Sequence, residues 1–161
     1  MEKKRYNWLI LFALAIVALD QLTKLLVIQN IPLGGTVPVL PGVVHLTYVR
    51  NAGAAFSMLS GARWLFLVLV VLFLVLLVWM IKKRFHQQPF ELWCMAAIAG
   101  GAVGNAIDRA IAGTVVDMIE VEFIRFAVFN VADCFITCGA FIFVIGLLFF
   151  TKKEGSDETK K

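Results

Sequence analysis

Charge is scarce in this sequence. Of its 161 residues, 16% are Asp, Glu, Lys or Arg, against about 25% in an ordinary soluble domain. Histidine occurs twice, as His45 and His86, cysteine three times and proline four times. With two histidines far apart and no H-E-x-x-H, the helix-borne zinc site of a metalloprotease is excluded. No serine lies near a histidine within the apolar stretches, which disfavours a serine hydrolase. No Walker-type phosphate loop occurs. Cys94, Cys134 and Cys138 all lie in apolar stretches, so no disulfide framework is expected. Cys134 and Cys138 share a helix face at a spacing compatible with a metal, but thiols used as small buried hydrophobes are the better reading.

Apolar residues take the place of the missing charge. They make up 61% of the chain, against about 45–50% in soluble domains. One small core cannot hide that excess. A soluble domain, a disordered chain and a nucleic-acid-binding arm are excluded, and a polytopic membrane protein is indicated. At about 20 residues per crossing, the length holds four spans and little else. No internal repeat is visible.

Four spans can be placed: about 8–28, 64–81, 91–111 and 131–150. The first has a basic flank like a signal peptide but runs past Asp20 without a clear cleavage site, so it is read as retained. The second is eighteen uninterrupted apolar residues, Trp64 to Ile81. The third is weak, since it carries Gly100, Gly101, Gly104, Asn105, Asp108 and Arg109. Ten of the fifteen basic residues fall before span one, between spans two and three, and after span four. An even number of spans puts all three clusters on one side, which the positive-inside rule makes cytoplasmic. Both termini are then inside, and segments 29–63 and 112–129 are outside. The net charge of +4 therefore reports topology. The expected organisation is one integral membrane domain, 1–151, followed by a polar tail, 152–161.

The first outer segment contains Pro32, Gly34, Gly35, Pro38, Pro41 and Gly42, with β-branched and apolar runs between and after them. It predicts a small outer β element between helices 1 and 2. The small-residue segment 52–60 reads equally as an interfacial lid or a plain connector. The expected fold class is a membrane all-α bundle of four transmembrane helices with that outer β element.

Acids inside spans are costly, at about 2.5–3.5 kcal/mol each for a central aspartate, and mark functional sites by default. Asp20, Asp108 and Asp133 lie within or at the ends of spans. Asp108 is seventeen residues along from Glu91, roughly 25 Å at about 1.5 Å per residue. Asp133 is in the first turn of the descending span four. Both acids thus reach the outer interface at one depth. Each follows an asparagine by three residues, Asn105 and Asn130, on a shared helix face. Gly100, Gly104 and Asp108 form an i, i+4, i+8 stripe on which another helix can approach closely. Asn130 and Asp133 also fit an N-cap with a capping-box partner.

Together these features predict a paired-carboxylate site for general acid–base hydrolysis, because two nearby carboxylates share one proton. The helix dipoles assign Asp133 as the ionised base and Asp108 as the protonated acid. Asp20 and Lys24, one turn apart, read as a mainly structural pair, with the lysine able to snorkel to headgroups. Asn51 reads as a hydrogen-bonding partner of a peptide or of local backbone, and Arg109 as reaching headgroups or a carboxylate. Asp117, Glu120 and Glu122 fall in the outer loop, the glutamates as ordinary solvated residues. The alternative from another class is a small proton-coupled transporter using the two acids as a relay. The apolar inner halves of spans two and four disfavour it.

The chain resembles the lipoprotein signal peptidases, the signal peptidase II family. The resemblance rests on Asp20-Gln-Leu-Thr-Lys24, Arg50-Asn-Ala-Gly-Ala-Ala-Phe-Ser57, Gly100-Gly-Ala-Val-Gly-Asn-Ala-Ile-Asp-Arg109 followed by Val115-Val-Asp117, and Phe129-Asn-Val-Ala-Asp133. It implies an aspartic endopeptidase of the bacterial cytoplasmic membrane. Such an enzyme cleaves diacylglyceryl-modified prolipoproteins just before the lipidated cysteine, and globomycin-type cyclic peptides inhibit it. The resemblance places the catalytic pair on Asp108 and Asp133. Supporting positions fall on Asp20, Asn51, Asn105, Arg109, Asn130 and Ala132, to which the residue reading adds Lys24 and Gly104. No metal or cofactor is implied, and the expected partners are the lipidated substrates and membrane lipids, with no nucleic acid. The segment from Asp117 to Phe129 is somewhat shorter than the family's usual loop and lacks its Gly or Pro.

Overall fold

A computed structural model describes residues 2–53, 58–83 and 89–150. The elements run α1 (Glu2–Asn30), β1 (Thr36–Leu40), β2 (Val44–Asn51), α2 (Arg63–Lys83), α3 (Pro89–Ala112), β3 (Val115–Val121) and α4 (Val131–Phe150). All four helices are long and apolar enough to cross a membrane. The fourfold arrangement and the β element between α1 and α2 agree with the sequence reading. Of the segment weighed as a lid, 54–57 lie outside the described residues, as does the tail 152–161. Residues 58–61 form turns.

The helices have unequal surroundings. Along α2, Val68, Leu69, Val71, Leu72, Val75 and Leu76 are all exposed. A soluble protein does not leave such a stripe in water, and its exposure suits a helix that faces lipid. The weakly apolar α3 is instead the internal helix, packed on α1, α2 and α4. Its glycines permit this. A Cβ at Gly104 would lie 2.6 Å from Asp20 Oδ2, and one at Gly101 would lie 2.5 Å from the Ala132 carbonyl oxygen. The stripe of Gly100 and Gly104 therefore seats α1. Gly101, one residue on and about 100° around the helix, seats α4.

One departure from expectation matters for function. Residues 115–121 form a strand rather than part of a plain outer loop. The sheet has the order β1-β2-β3 and is antiparallel throughout. Val116 and Met118 pack with Val27 and Ile31 at the outer end of α1 and with Tyr48 of β2. Side chains alternate along a strand, so Val115 and Asp117 turn the other way, into a cavity between the sheet, α3 and α4.

Candidate active site

The cavity has a volume of about 430 Å³. Its polar wall is made by Asn51, Asn105, Arg109, Asp117 and Asp133. The opposite wall, Phe126 to Phe129 with Cys134, Thr137 and Cys138, is mostly apolar. Cys138 is exposed rather than buried. The mixed lining suits a substrate with one polar bond and an apolar body.

Each acid is held by N–H donors. Asp133 lies in the first turn of α4, where the residues make a reciprocal cap. The Asp133 backbone N–H donates to Asn130 Oδ1 at 2.9 Å, and the Asn130 N–H donates to Asp133 Oδ2 at 3.2 Å. The capping arrangement read from the sequence is thus formed, and it leaves Asp133 Oδ1 to accept from Asn105 Nδ2 at 2.8 Å. Asp117 comes from β3. Its Oδ1 accepts from Asn130 Nδ2 at 2.7 Å and its Oδ2 from Asn51 Nδ2 at 2.9 Å. Val49 pairs with Asp117 across the ladder, which brings Asn51, two residues on, to the same face.

Asp117 is 3% exposed. Burial pushes its carboxyl up from 3.8 to about 6. The Asn51 hydrogen bond opposes that rise, the Asp133 charge adds to it, and the Asn130 hydrogen bond and the Lys24 charge oppose it.

Asp108 has a different position from the one expected. Its stripe on α3 faces α1, so its carboxylate meets Lys24 Nζ at 2.8 Å and accepts from Gln21 Nε2 at 2.9 Å and the Val116 N–H at 3.2 Å. Asp108 is not among the described residues lining the cavity. The cavity is faced by Asn105 and Arg109, on the neighbouring stripe whose Gly101 packs against α4, offset by one residue. The structure thus brings Asp117, not Asp108, to the cavity with Asp133. The available signal was Val115-Val-Asp117 within the family pattern, but an acid in an assigned loop carried little weight.

The remaining predicted residues gather around these acids. Lys24 is 2% exposed and does not snorkel. Its Nζ lies 2.8 Å from Asp20 Oδ2 and donates to Asn105 Oδ1 at 2.9 Å. Asp20, fully buried, accepts from the Ala132 backbone N–H at 3.0 Å. Gly104 admits the Asp20 carboxylate against α3. Arg109 donates to the Gly53 carbonyl at 2.7 Å and lies 4.4 Å from the Phe66 ring centroid, so it reaches backbone and an aromatic face. Glu120 is hydrogen-bonded to Thr47, and Glu122 lies 3.1 Å from His45.

Comparison with known proteins adds independent findings. The family described as signal peptidase (SPase) II matches residues 12–149. A lipoprotein signal peptidase of Brevibacillus brevis is 40% identical over 147 residues, which is 91% of this chain and 99% of that one. One from Streptococcus pyogenes serotype M5 is also 40% identical, covering 91% and 95%. A bacterial membrane enzyme solved by the in meso method at 2.3 Å superposes with a TM-score of 0.86 at 33% identity, covering 92% of each chain. A second, solved at 1.9 Å, gives 0.82 at 33% identity, covering 89% and 94%.

Proposed function

The chain belongs to the signal peptidase II family, and from that premise we propose that Asp117 and Asp133 are the acids with which it removes signal peptides from prolipoproteins. The observation that carries this assignment is their joint presence in one cavity, each carboxylate oxygen taking an N–H donor. Asp108 is instead committed to Lys24, Gln21 and the β3 backbone. The family match also sets aside the transporter alternative.

Asp133 is the base. It sits where the α4 dipole favours negative charge, and it accepts from Asn105 and from the Asn130 backbone. Asp117 is the acid, since burial favours its protonated form. Asp133 removes a proton from a water, whose oxygen attacks the scissile carbonyl. Asp117 donates a hydrogen bond to the developing oxyanion. Collapse of the tetrahedral intermediate breaks the C–N bond, and the leaving amine takes a proton from the dyad. The leaving group is the lipidated cysteine with the mature chain. The apolar wall of Phe126, Val128 and Phe129 is placed to meet the lipid-anchored body of the substrate, and a globomycin-type peptide would compete there.

Topology follows from the charge clusters. Both termini of the multi-pass chain are cytoplasmic, the cavity opens near the outer face, and residues 1–151 act as one peptidase domain with a polar tail. The test is cleavage by the purified protein in proteoliposomes, using a precursor with and without its diacylglyceryl group. Wild type cleaves the lipidated precursor, and Asp133→Asn does not. Cleavage by Asp133→Asn at the wild-type rate would overturn the assignment.

A further inference from the structure

Behind the cavity lies one buried cation. Lys24 has three N–H donors, and they meet three acceptors: Asp20 Oδ2 at 2.8 Å, Asp108 Oδ2 at 2.8 Å and Asn105 Oδ1 at 2.9 Å. Each acceptor goes on to hold one of the two acids. Asp20 Oδ1 accepts from the Ala132 N–H, one residue before Asp133. Asp108 Oδ2 accepts from the Val116 N–H, one residue before Asp117. Asn105 donates directly to Asp133. Lys24 itself is not among the described residues that line the cavity.

We propose that Lys24 is a positioning residue for the hydrolysis: its ammonium ties together the three side chains that hold α4 and β3 at the two acids, and its charge sets the pH at which the pair holds a single proton. The inference rests on the assignment of Asp117 and Asp133 as the reacting acids.

Geometry supports the first half. An ammonium donates and cannot accept, so the Asn105 amide must turn its oxygen to Lys24 and its nitrogen to Asp133. Asn130 Nδ2 reinforces that direction by donating to the same Asn105 oxygen at 3.0 Å and to Asp117. The two amides are thereby fixed as donors toward the dyad.

Charge supports the second half. The charged groups around the dyad are Asp20 and Lys24 from α1 and Arg109 from α3, with the two acids on each other, and Asp108 of α3 joins them through Lys24 and the Val116 N–H. Asn51, Asn105 and Asn130 face them as neutral donors, and the Cys134 thiol follows Asp133. Lys24 is placed between two carboxylates, so removing its charge and removing one of theirs must act in opposite directions. A charge within about 4–6 Å shifts a carboxyl by about one to three units, and Lys24, which reaches the acids through Asp20, Asp108 and Asn105, acts at the low end of that effect.

The test is the pH dependence of kcat and KM for a lipidated precursor with wild type, Lys24→Met and Asp108→Asn. Asp108→Asn keeps the side chain's size and shape, and its amide oxygen can still accept from Lys24 and from the Val116 N–H. The profile should move by about one pH unit, upward in Lys24→Met and downward in Asp108→Asn, with KM within about twofold of wild type. A purely structural role would lower the amount of active enzyme and leave the profile in place. If Lys24→Met does not accumulate, the direction of the Asp108→Asn shift decides alone. An unmoved profile in Asp108→Asn, or activity too low to profile, overturns the proposal. Should Asp117→Asn also retain activity, the assignment of the acids has failed as well. With Asp117→Asn inactive, the positioning role alone has failed.

Discussion

Asn105 Nδ2 donates to Asp133 Oδ1 at 2.8 Å, across the interface of α3 and α4. That bond aims the base at the cavity, and few of the neighbouring contacts can replace it. Asn105→Leu keeps the branched shape and removes both the donor and the acceptor. It should lower kcat by roughly 10–100-fold with little change in KM, and destabilise the fold by about 1–3 kcal/mol through the unmet buried groups. Steady-state kinetics and a melting curve check the two effects separately.

Asp117 predicts a pH-dependent stability. Its carboxyl is raised from 3.8 to about 6 in the folded chain. Between those values the folded state binds more protons than the unfolded state, so stability falls as pH rises through that window. The loss amounts to roughly 3 kcal/mol once the group is ionised, at about 1.4 kcal/mol per unit. Asp117→Asn removes this penalty. The melting temperature of the variant, relative to wild type, should therefore be higher at pH 7.5 than at pH 4. An equal difference at both pH values would contradict the burial argument.

Asn51 tunes the same group. Its amide donates to Asp117 Oδ2 at 2.9 Å and so favours the ionised form. If Asp117 is the acid, kcat falls as pH rises through the pKa of that carboxyl. Asn51→Leu removes the opposing donor, so the basic limb of the profile should move to higher pH. A shift to lower pH would show that a different group sets that limb.

The sequence made the helices legible because their apolar runs match the thickness of a bilayer and basic clusters bound them. It made β3 illegible because Val115–Val121 carries an acid on each face, Asp117 on one and Glu120 on the other, which spoils the apolar alternation of a half-buried strand and reads as a solvated loop. The site failed to resolve at the level of one helix turn. Depth along the span set Asp108 and Asp133 at one level, but a level does not select a face. Gly100, Gly104 and Asp108 face α1, while Gly101, Asn105 and Arg109 face α4 and the cavity. The contacts of Gly100 with Ala13 and of Gly104 with Asp20, against that of Gly101 with Ala132, separate the two stripes.

The two stripes can be tested apart. Gly104→Ala would place a Cβ 2.6 Å from Asp20 Oδ2 and push that carboxylate off Lys24. Gly101→Ala would place one 2.5 Å from the Ala132 carbonyl and wedge α3 from α4. Both should destabilise the fold by about 1–3 kcal/mol, as overpacking does. At temperatures where both variants remain folded, Gly101→Ala should lose more turnover, because it moves the base directly. Equal losses would indicate that neither stripe is specific to the cavity.

The most direct measurement is single-turnover cleavage of a lipidated precursor by Asp108→Asn, Asp117→Asn and Asp133→Asn, side by side in proteoliposomes. Asp117→Asn and Asp133→Asn should each lose at least about 1,000-fold, as expected when a group made essential by the chemistry is removed. Asp108→Asn should keep measurable turnover, because its carboxylate holds Val116 and Lys24 and does not reach the substrate. An inactive Asp108→Asn beside an active Asp117→Asn would contradict the account.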